Sequence, residues 1–416
     1  MATNRRFEKQ PKRDSAQPAP HGPKLPRVEL RSYPQNRHPW VFRRMVAGEH
    51  PELPPGALVE VVDRDGEFFG YAFYNANSEI ALRILSYERS QPVNAQWFRD
   101  KIARAVEFRH DVLKLPARND AYRVVHSEGD GLSGLVVDRL GSVLVLELFS
   151  AGMHRNLGWI QAALKTHYPN LTQIVRADQR SEKHEGLEMD GPPPPESLRE
   201  VVIHEANLKF RVDLRDGHKT GFFTDQRENR VRTAELCRGE DVFDGFCYTG
   251  GFAMAAALHG AKRVEAMDLD ENAVAIAERN QELNGIGPNL QFRHGNVFHR
   301  LRDMRATNTQ FARMILDPSK QAIARHEINK ALDAYCDMNR MGMQCVKPGG
   351  ILVSCSCTGL VSEEMFLDVL RAAAGEAGVE LQILAVTGAA ADHPFAIRVP
   401  EGRYLKVVYS RVLPSS

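Results

Sequence analysis

Beyond residue 217, short apolar runs alternate with longer segments of helical periodicity, and this alternation constrains the fold more than any other feature. Strands are predicted at Asp241–Asp244, Arg263–Asp268, Leu290–His294, Arg313–Asp317 and Ile351–Cys355. Helices are predicted between or after them at Gly251–His259, Glu271–Asn284, His326–Cys345 and Glu363–Ala374. Strands separated by helices of this length indicate a parallel, doubly wound sheet. Two late strands, Gln382–Val386 and Tyr404–Ser410, have no helix between them and predict an antiparallel hairpin at the sheet edge.

The rest of the chain predicts three further segments. Residues 1–27 are rich in Pro, Arg and Lys and predict a disordered basic arm. Residues 28–92 read as short strands with turns, including a hairpin signal at Asp65-Gly66, and predict a small β-rich domain. Residues 93–213 mix helices with strands and predict a central α+β domain. The doubly wound α/β domain then spans residues 214–416.

The composition excludes several classes of protein. The 416 residues include 54 Lys or Arg and 53 Asp or Glu, and this net charge of +1 excludes a simple polycation. Six cysteines are too few for a disulfide scaffold in a chain this long and are typical of reduced thiols. No run approaches the roughly 18 apolar residues of a membrane helix, and residues 1–27 lack the apolar core of a signal peptide. We therefore expect a cytoplasmic protein with no membrane partner.

The carboxyl ends of the first three predicted strands carry the residue types that a nucleoside-bearing cofactor requires. Asp244 ends the first strand, and Gly250 in the following turn lets the backbone approach a ligand closely. Asp268 ends the second strand, where it can accept hydrogen bonds from a ribose diol, and Asn296 follows the third, where it can read an adenine edge. The predicted cofactor contacts are Asp244, Phe246, Tyr248, Thr249, Gly250, Asp268, Leu269, Asn296 and Val297, with Gln226 added from the preceding segment.

The first turn decides between cofactors. It is not G-x-G-x-x-G and it has no phosphate-binding lysine, so nothing in it is dedicated to a pyrophosphate. S-adenosylmethionine therefore fits better than NAD. For Asp268 alone, a structural role as the cap of the next helix stays open, because Asp270, Glu271 and Asn272 follow it.

The fourth and fifth strand ends carry the predicted chemistry. Asp317 begins Asp-Pro-Ser-Lys, and Cys357 lies in the Ser-Cys-Ser-Cys-Thr-Gly run after the fifth strand. A thiolate at Cys357 can add to C6 of a pyrimidine and activate C5 toward a methyl sulfonium, after which Asp317 can remove the C5 proton. Cys355 is predicted to be a buried small side chain. A Cys-x-Cys metal pair finds no partner pair nearby, so no metal is expected.

The segment Gly217–Arg227 is dense in small and polar residues and has two interpretations. It is either an entry turn or a lid over cofactor and target base, with Phe222 or Phe223 stacking and Gln226 hydrogen-bonding. The candidate RNA contacts are Arg37, Lys219, Phe223, Arg227 and Lys320, with the arm, Arg43 and Arg44 as further basic candidates. Each of these charges is also explained as an ordinary solvated side chain.

Several stretches together resemble the ribosomal RNA large subunit methyltransferase I family, bacterial enzymes that form 5-methylcytidine in 23S rRNA. They are Arg37-His-Pro-Trp-Val-Phe42, Tyr122 with Glu128-Gly-Asp-Gly131 and Asp138-Arg139, Gly217–Arg227, Tyr248-Thr-Gly-Gly-Phe252, Ser356-Cys-Thr-Gly-Leu360, Ala391-Asp-His-Pro394, Pro400-Glu-Gly402 and Tyr404-Leu-Lys406. The resemblance implies a PUA RNA-binding domain, a central domain similar to that of RNA 5-methyluridine methyltransferases, and a class I Rossmann-like methyltransferase domain. It places Cys357, and not Cys355, at the family's nucleophile position.

The sequence departs from this family at two motifs. The usual Asp-Pro-Pro-Lys-Phe reads Asp317-Pro-Ser-Lys-Gln321, and Asn296 stands at a usually acidic position. Two alternatives therefore stay open. One is a methyltransferase for another RNA base, by 5-methyluridine formation or N-methylation; the other is a catalytically impaired RNA-binding assembly factor. The expected partner is 23S rRNA, naked or in an assembly intermediate. Homodimerisation is compatible with the sequence, which does not require it.

Overall fold

The computed structural model describes residues 25–48, 52–177, 179–187, 189, 198–215 and 221–415. The predicted arm lies almost entirely outside these ranges. The described residues form four β-sheets, of five, four, two and seven strands. In these ranges no helix is both long and apolar enough to cross a membrane.

The N-terminal domain is built on a five-stranded sheet in the order β1-β3-β4-β5-β2. Its strands are β1 Arg27–Glu29, β2 Trp40–Phe42, β3 Ala57–Val62, β4 Phe68–Tyr74 and β5 Ile80–Ser86. The predicted turn at Asp65-Gly66 connects β3 and β4. Asp63 stabilises it, because its Oδ1 accepts hydrogen bonds from the backbone nitrogens of Asp65 and Glu67 at 3.0 and 2.9 Å. Gly66 supplies the positive φ of +77° that the turn requires.

The central domain pairs a four-stranded sheet, β6-β7-β8-β9, with a separate β10–β11 hairpin. Its elements are α1 Ala95–Glu107, β6 Ala121–His126, β7 Leu135–Leu140, β8 Val143–Leu148, α2 Ala151–Arg155, α3 Leu157–His167, β9 Thr172–Arg176, α4 Gln179–Glu185, β10 Glu200–Glu205 and β11 Leu208–Asp213. The side chain of Asn94 caps α1 by accepting from the backbone nitrogens of Gln96 and Trp97. Helix α1 then buries Trp97, Phe98 and Ile102 against the sheet.

The C-terminal domain is a seven-stranded sheet in the order β14-β13-β12-β15-β16-β18-β17. Its elements are α5 Arg227–Glu235, β12 Asp241–Gly245, α6 Gly251–Leu258, β13 Arg263–Asp268, α7 Glu271–Leu283, β14 Leu290–His294, α8 Val297–Ala306, β15 Phe311–Leu316, α9 Ile328–Gln344, β16 Val346–Ser356, α10 Glu363–Ala377, β17 Val379–Thr387 and β18 Lys406–Pro414. The first five strands in this order are parallel. Strand β18 is antiparallel to both neighbours, which confirms the predicted edge hairpin.

The domains are joined by apolar and polar contacts. Val143 and Val145 of β8 belong to the same apolar core as Ala253 and Ala256 of α6, so the central and C-terminal domains share one continuous core. Strand order reverses between β12 and β15, and ligands of open α/β sheets bind at the carboxyl ends of strands at such a point. The fold therefore directs attention to the loops that follow β12, β13, β14, β15 and β16.

Candidate functional site

The loop after β12 is shaped by unusual backbone angles. Phe246, Tyr248 and Gly250 have positive φ values of 68°, 47° and 90°. A Cβ atom on Gly250 would lie 2.7 Å from Cζ of Phe292, so only glycine fits there. The backbone nitrogens of Phe246 and Cys247 both donate to the carbonyl of Met267 on β13, at 2.9 and 3.0 Å. The loop is therefore held in a tight turn against the next strand, with buried Thr249 at its base.

Asp268 holds this loop to the end of β13. Its Oδ2 accepts from the backbone nitrogen of Tyr248 at 2.8 Å and its Oδ1 accepts from that of Asp270 at 3.0 Å. The cap of α7 is Asp270, whose side chain accepts from the nitrogens of Asn272 and Ala273. Because each carboxylate oxygen can accept a second hydrogen bond, Asp268 keeps the capacity to accept from a ribose diol.

Asp244 provides the strongest electrostatic sign of a ligand. Its side chain is 1% exposed, and within the described residues neither carboxylate oxygen has a hydrogen-bond partner. Burial raises the pKa of the Asp244 carboxyl well above its usual range, and the nearby carboxylates of Asp317 and Asp268 raise it further, while the backbone N–H of Ala253 opposes this shift. A buried carboxylate with no well-formed hydrogen bond is costly. An ammonium or hydroxyl group of a bound ligand would satisfy it, and S-adenosylmethionine carries both.

The loops after β13 and β14 supply an apolar and a polar candidate contact for the adenine. Asn296 caps α8, since its Oδ1 accepts from the backbone nitrogens of Phe298 and His299 at 2.9 and 3.2 Å. Its amide nitrogen is left as the group that can contact an adenine edge. Val297 is buried in the core below, whereas Leu269 is 64% exposed and offers an apolar surface to a planar base.

Asp317 follows β15 and is oriented by Gln226. Nε2 of Gln226 donates to Oδ2 of Asp317 at 2.9 Å, and Oε1 of Gln226 accepts from Nδ2 of Asn229 at 2.7 Å. Both the oxygen and the nitrogen of the buried Gln226 side-chain amide therefore form hydrogen bonds. The sequence predicted Gln226 as a cofactor contact; the structure places it on the candidate base.

Cys357 lies just beyond β16 and is half-buried, with its Sγ 3.8 Å from the carbonyl oxygen of Pro318. The two strand ends that carry Asp317 and Cys357 are thus adjacent. Cys355 is fully buried, as the sequence predicted, and burial raises the pKa of its thiol well above the usual range. Cys355 therefore has the properties of a core side chain.

A buried lysine supports the Cys357 turn and was not predicted as a site residue. Lys406, at the start of β18, is 1% exposed. Its Nζ donates to the backbone carbonyls of Thr358 and Tyr404, both at 2.8 Å. Burial lowers the pKa of Lys406 to about 8, and the neighbouring Cys357 opposes this shift. The only sequence signal was the Tyr404-Leu-Lys406 stretch of the family resemblance.

The altered motif after β15 is held by its own hydrogen bonds. Nε2 of Gln321 donates to the carbonyl of Ser319 at 2.7 Å, and the backbone nitrogen of Gln321 donates to Oγ1 of Thr358 at 3.0 Å. The turn that lacks a second proline is therefore tied to the residue next to Cys357. Lys320 projects into solvent from the same turn.

The candidate RNA contacts are distributed unevenly. The ring of Phe223 packs edge-on against Tyr248 at 5.1 Å, beside the cofactor loop. Arg227 is buried and donates to both carboxylate oxygens of Asp392, at 2.8 and 3.0 Å, so the structure gives it a scaffolding position rather than a surface for RNA. Arg37 is exposed on the N-terminal domain. Lys219, with residues 216–220, lies outside the described residues.

Phe222, the other stacking candidate, is buried against Phe210 at 4.9 Å and is not available to a base. Among the described residues, no group of three or more His, Cys, Asp or Glu side chains is arranged to hold a metal ion.

Comparison with known proteins identifies the fold and the class of protein. A sequence profile for an S-adenosylmethionine-dependent methyltransferase matches residues 132–382, and one for a PUA-like domain matches residues 34–87. The crystal structure of SMU.776 in complex with SAH superposes with a TM-score of 0.76, covering 93% of this chain and 100% of that one at 19% identity. The protein is an S-adenosylmethionine-dependent methyltransferase with a PUA-like N-terminal domain.

Its relatives define the family more closely. Ribosomal RNA large subunit methyltransferase I of Aeromonas hydrophila subsp. hydrophila is 37% identical over 374 residues, which cover 89% of this chain and 94% of the relative. The protein of the same name from Pseudoalteromonas atlantica is 36% identical over 383 residues, covering 91% and 96%. The chain belongs to the ribosomal RNA large subunit methyltransferase I family, which confirms the resemblance seen in the sequence.

Proposed function

We propose that the protein methylates C5 of a cytosine in 23S rRNA, with Cys357 as the nucleophile and Asp317 as the base. The observation that carries the proposal is the adjacency of these two residues: Cys357 Sγ lies 3.8 Å from the carbonyl of Pro318, next to Asp317. Both follow parallel strands at the edge that also bears the cofactor loop. The names of the relatives support a ribosomal RNA substrate.

The chemistry requires a nucleophile because C5 of cytosine is too weakly nucleophilic to react alone. The Cys357 thiolate adds to C6, and the electron pair of the C5–C6 double bond becomes available at C5. S-adenosylmethionine, when bound, would supply an electrophilic methyl group by cleavage of its S–CH3 bond and would leave as S-adenosylhomocysteine. After a new C5–CH3 bond has formed, Asp317 removes the C5 proton, the double bond re-forms, and the thiolate leaves C6. The net change at the base is replacement of one hydrogen by methyl.

The surrounding residues keep these two groups in place. Gln226 fixes the carboxylate of Asp317 by the hydrogen bond at 2.9 Å. Lys406 anchors the turn after Cys357 through the carbonyl of Thr358 and holds a buried positive charge beside the thiol. A nearby cation favours the thiolate form of a cysteine. The buried charge of Lys406 therefore supports the proposed role of Cys357 as nucleophile.

The cofactor side of the proposal rests on the loops after β12, β13 and β14. Asp244 and Asp268 would hold the amino acid and ribose ends of S-adenosylmethionine, and Asn296 with Leu269 would hold the adenine. On the substrate side, Phe223 and Lys320 lie near the reacting edge, and Lys219 stays a prediction. Target bases of such RNA enzymes are exposed or flipped out, so naked or partly assembled rRNA in the cytoplasm is the proposed substrate.

The test is transfer of labelled methyl groups from S-adenosylmethionine to deproteinised, unmodified 23S rRNA, followed by nucleoside analysis. We expect the label in 5-methylcytidine. Label in another methylated nucleoside would favour the alternative RNA methyltransferases. Tight RNA binding with no affinity for S-adenosylmethionine would instead favour the assembly factor.

The role of Asp317 is tested by Asp317→Asn. An enzyme that cannot remove the C5 proton cannot release the thiolate, so we expect a covalent protein–RNA complex that accumulates and survives denaturation. Loss of activity without such a complex would assign Asp317 a purely structural role.

A further inference from the structure

A cleft of about 540 Å³ lies where the three domains meet. The N-terminal domain contributes Arg37 and Tyr87, the central domain contributes Lys101 and Arg104 of α1, and the C-terminal domain contributes Arg398 from the loop between β17 and β18. Its volume is within the range of sites that hold small ligands. The segments that line it include parts of the stretches Arg37–Phe42 and Glu128–Gly131, and the proposed reaction uses neither of them.

The four basic side chains of this cleft carry uncompensated charge. Among the described residues, none of Arg37, Lys101, Arg104 and Arg398 forms an ion pair. Burial lowers the pKa of Lys101, and the charges of Arg104 and Arg398 lower it further, while Asp130 opposes them. The cations therefore repel one another, and a bound anion would relieve that repulsion.

The carboxylates at the cleft are already engaged. Asp130 accepts from both terminal nitrogens of Arg109 at 2.6 and 2.9 Å, and Arg109 itself is fully buried. Glu128 pairs with Arg83 at 3.7 Å and also accepts from Nε1 of Trp40 at 2.8 Å. Glu88 accepts from the neutral side chain of Gln91 at 3.1 Å and keeps its charge. The four cations therefore outnumber the one carboxylate of the cleft that forms no ion pair among the described residues.

Two of the cations are positioned by one aromatic ring. The guanidinium carbons of Arg37 and Arg398 each lie 5.6 Å from the ring centroid of Tyr87. The Tyr87 hydroxyl donates to the backbone carbonyl of Arg37 at 2.7 Å, which fixes the ring. Planar guanidinium groups bind phosphate through paired hydrogen bonds and stack on nucleobases. Tyr87 therefore brings one guanidinium group of the N-terminal domain and one of the C-terminal domain to the same ring.

We infer that this cleft binds the phosphodiester backbone of a single-stranded segment of the RNA substrate; the inference rests on the proposed function. The phosphates would lie against Lys101, Arg104 and Arg398, with the exposed Arg37 at the rim.

A second cavity adjoins the cleft. It has a volume of about 340 Å³ and shares Glu128 and Val399 with the first. Tyr404 lines it, and the Tyr404 hydroxyl donates to Asp225, the residue before Gln226. Tyr404 therefore connects the wall of this cavity to the segment in which Gln226 contacts Asp317.

The test uses the full-length protein with Arg104→Ala and Arg398→Ala combined. The control is Arg99→Ala, because Arg99 is an exposed arginine on the same helix α1 that contacts Gln96 and does not line the cleft. Binding of a short fluorescein-labelled single-stranded RNA is measured by anisotropy over a series of salt concentrations. Affinity for S-adenosylmethionine is measured in parallel as the check on folding.

We expect the double variant to bind RNA roughly 10-fold or more weakly, because hydrogen bonds to charged groups are lost. The log–log salt slope should fall by about 0.7 for each phosphate contact removed, and the Arg99→Ala protein should bind as the original does. Unchanged RNA affinity in the double variant would overturn the inference, as would an equal loss in the control. Binding requires no methyl transfer, so failure to form 5-methylcytidine would count against the proposed function alone.

Discussion

Gln226 donates a hydrogen bond from Nε2 to Oδ2 of Asp317 at 2.9 Å, across 91 positions of the sequence. Asn229 donates in turn to Oε1 of Gln226 at 2.7 Å. The segment that precedes the sheet is thereby joined to the end of its fourth strand. This pairing sets the direction of the Asp317 carboxylate. In the proposed mechanism, Gln226 is therefore a positioning residue for proton removal.

Replacing Gln226 by Leu removes the donor at similar volume. We expect kcat to fall roughly 10-fold, because the variant loses one hydrogen bond to a charged group. The affinity for S-adenosylmethionine should not change. Gln173→Leu is the control, because Gln173 donates to the carbonyl of Gln161 at 3.0 Å in the central domain. A loss of cofactor affinity with kcat preserved would return Gln226 to the cofactor role that the sequence predicted.

Asp244→Asn is expected to raise the stability of the ligand-free protein and to lower its affinity for S-adenosylmethionine. The pKa of Asp244 is raised above its ordinary value of 3.8, so the folded state holds the proton more tightly than the unfolded state does. Stability of the ligand-free protein therefore falls as pH rises from that value toward the raised pKa. We expect the variant to lose this dependence, to gain about 1 kcal/mol at neutral pH, and to bind S-adenosylmethionine roughly 10-fold more weakly.

The measurements are urea unfolding across the pH range and calorimetric titration of the cofactor. Asp241→Asn, at the opposite end of β12 and partly exposed, is the control. A variant that is less stable than the original protein without ligand would contradict a strained, ligand-directed role for Asp244.

Gly250→Ala tests the tight turn of the cofactor loop. Gly239 also has a positive φ, of 73°, but a Cβ atom there would meet nothing within 4 Å, so Gly239→Ala should cost only the backbone strain of about 1 kcal/mol. At Gly250 the clash with Phe292 should add about 1–3 kcal/mol and weaken cofactor binding. Chemical denaturation of both proteins gives the comparison. Equal destabilisation of the two would show that Phe292 moves aside without cost.

Lys406→Met tests the buried charge beside Cys357. Burial holds the pKa of Lys406 near 8, below its ordinary value of 10.5, so the folded state releases this proton before the unfolded state does. The free energy of unfolding should therefore rise with pH between about 8 and 10.5 in the original protein and lose this rise in the variant.

Methyl transfer by the Lys406→Met protein should be slowest relative to the original below pH 8, where the ammonium is charged and favours the thiolate. The difference should narrow as pH rises. Lys330→Met, at an exposed position on α9, is the control. A rate loss of the same size at every pH would indicate that Lys406 acts only by holding the turn.

The sequence predicted the parallel sheet because its strands are apolar runs bounded by turns. It did not predict α8, Val297–Ala306, because only Val297, Leu301 and Met304 of that helix are buried among charged residues. This apolar stripe is too narrow to stand out from a polar loop. The edge hairpin was predicted, since no helical segment separates its two strands.

Candidate site residues could be proposed from the sequence where they follow strands. Asp268 and Asn296 fall at strand ends, which parallel topology brings together. Arg227 was not predictable as a buried residue, because its partner Asp392 is 165 positions away. Lys406 was missed for the same reason: its burial depends on pairing between β16 and β18, which places it opposite Ser356. Local sequence patterns predict where a strand ends. They do not predict contacts between residues far apart in the sequence, because those contacts depend on the complete fold.

The most direct test compares Cys357→Ala with Cys355→Ala on unmodified 23S rRNA and labelled S-adenosylmethionine. We expect Cys357→Ala to bind the cofactor, form no covalent RNA complex and transfer no methyl group. Cys355→Ala should form the covalent RNA complex and transfer the methyl group. The small cavity left by the substitution should lower its free energy of unfolding by about 1 kcal/mol. Methyl transfer that persists in Cys357→Ala would contradict covalent catalysis by Cys357.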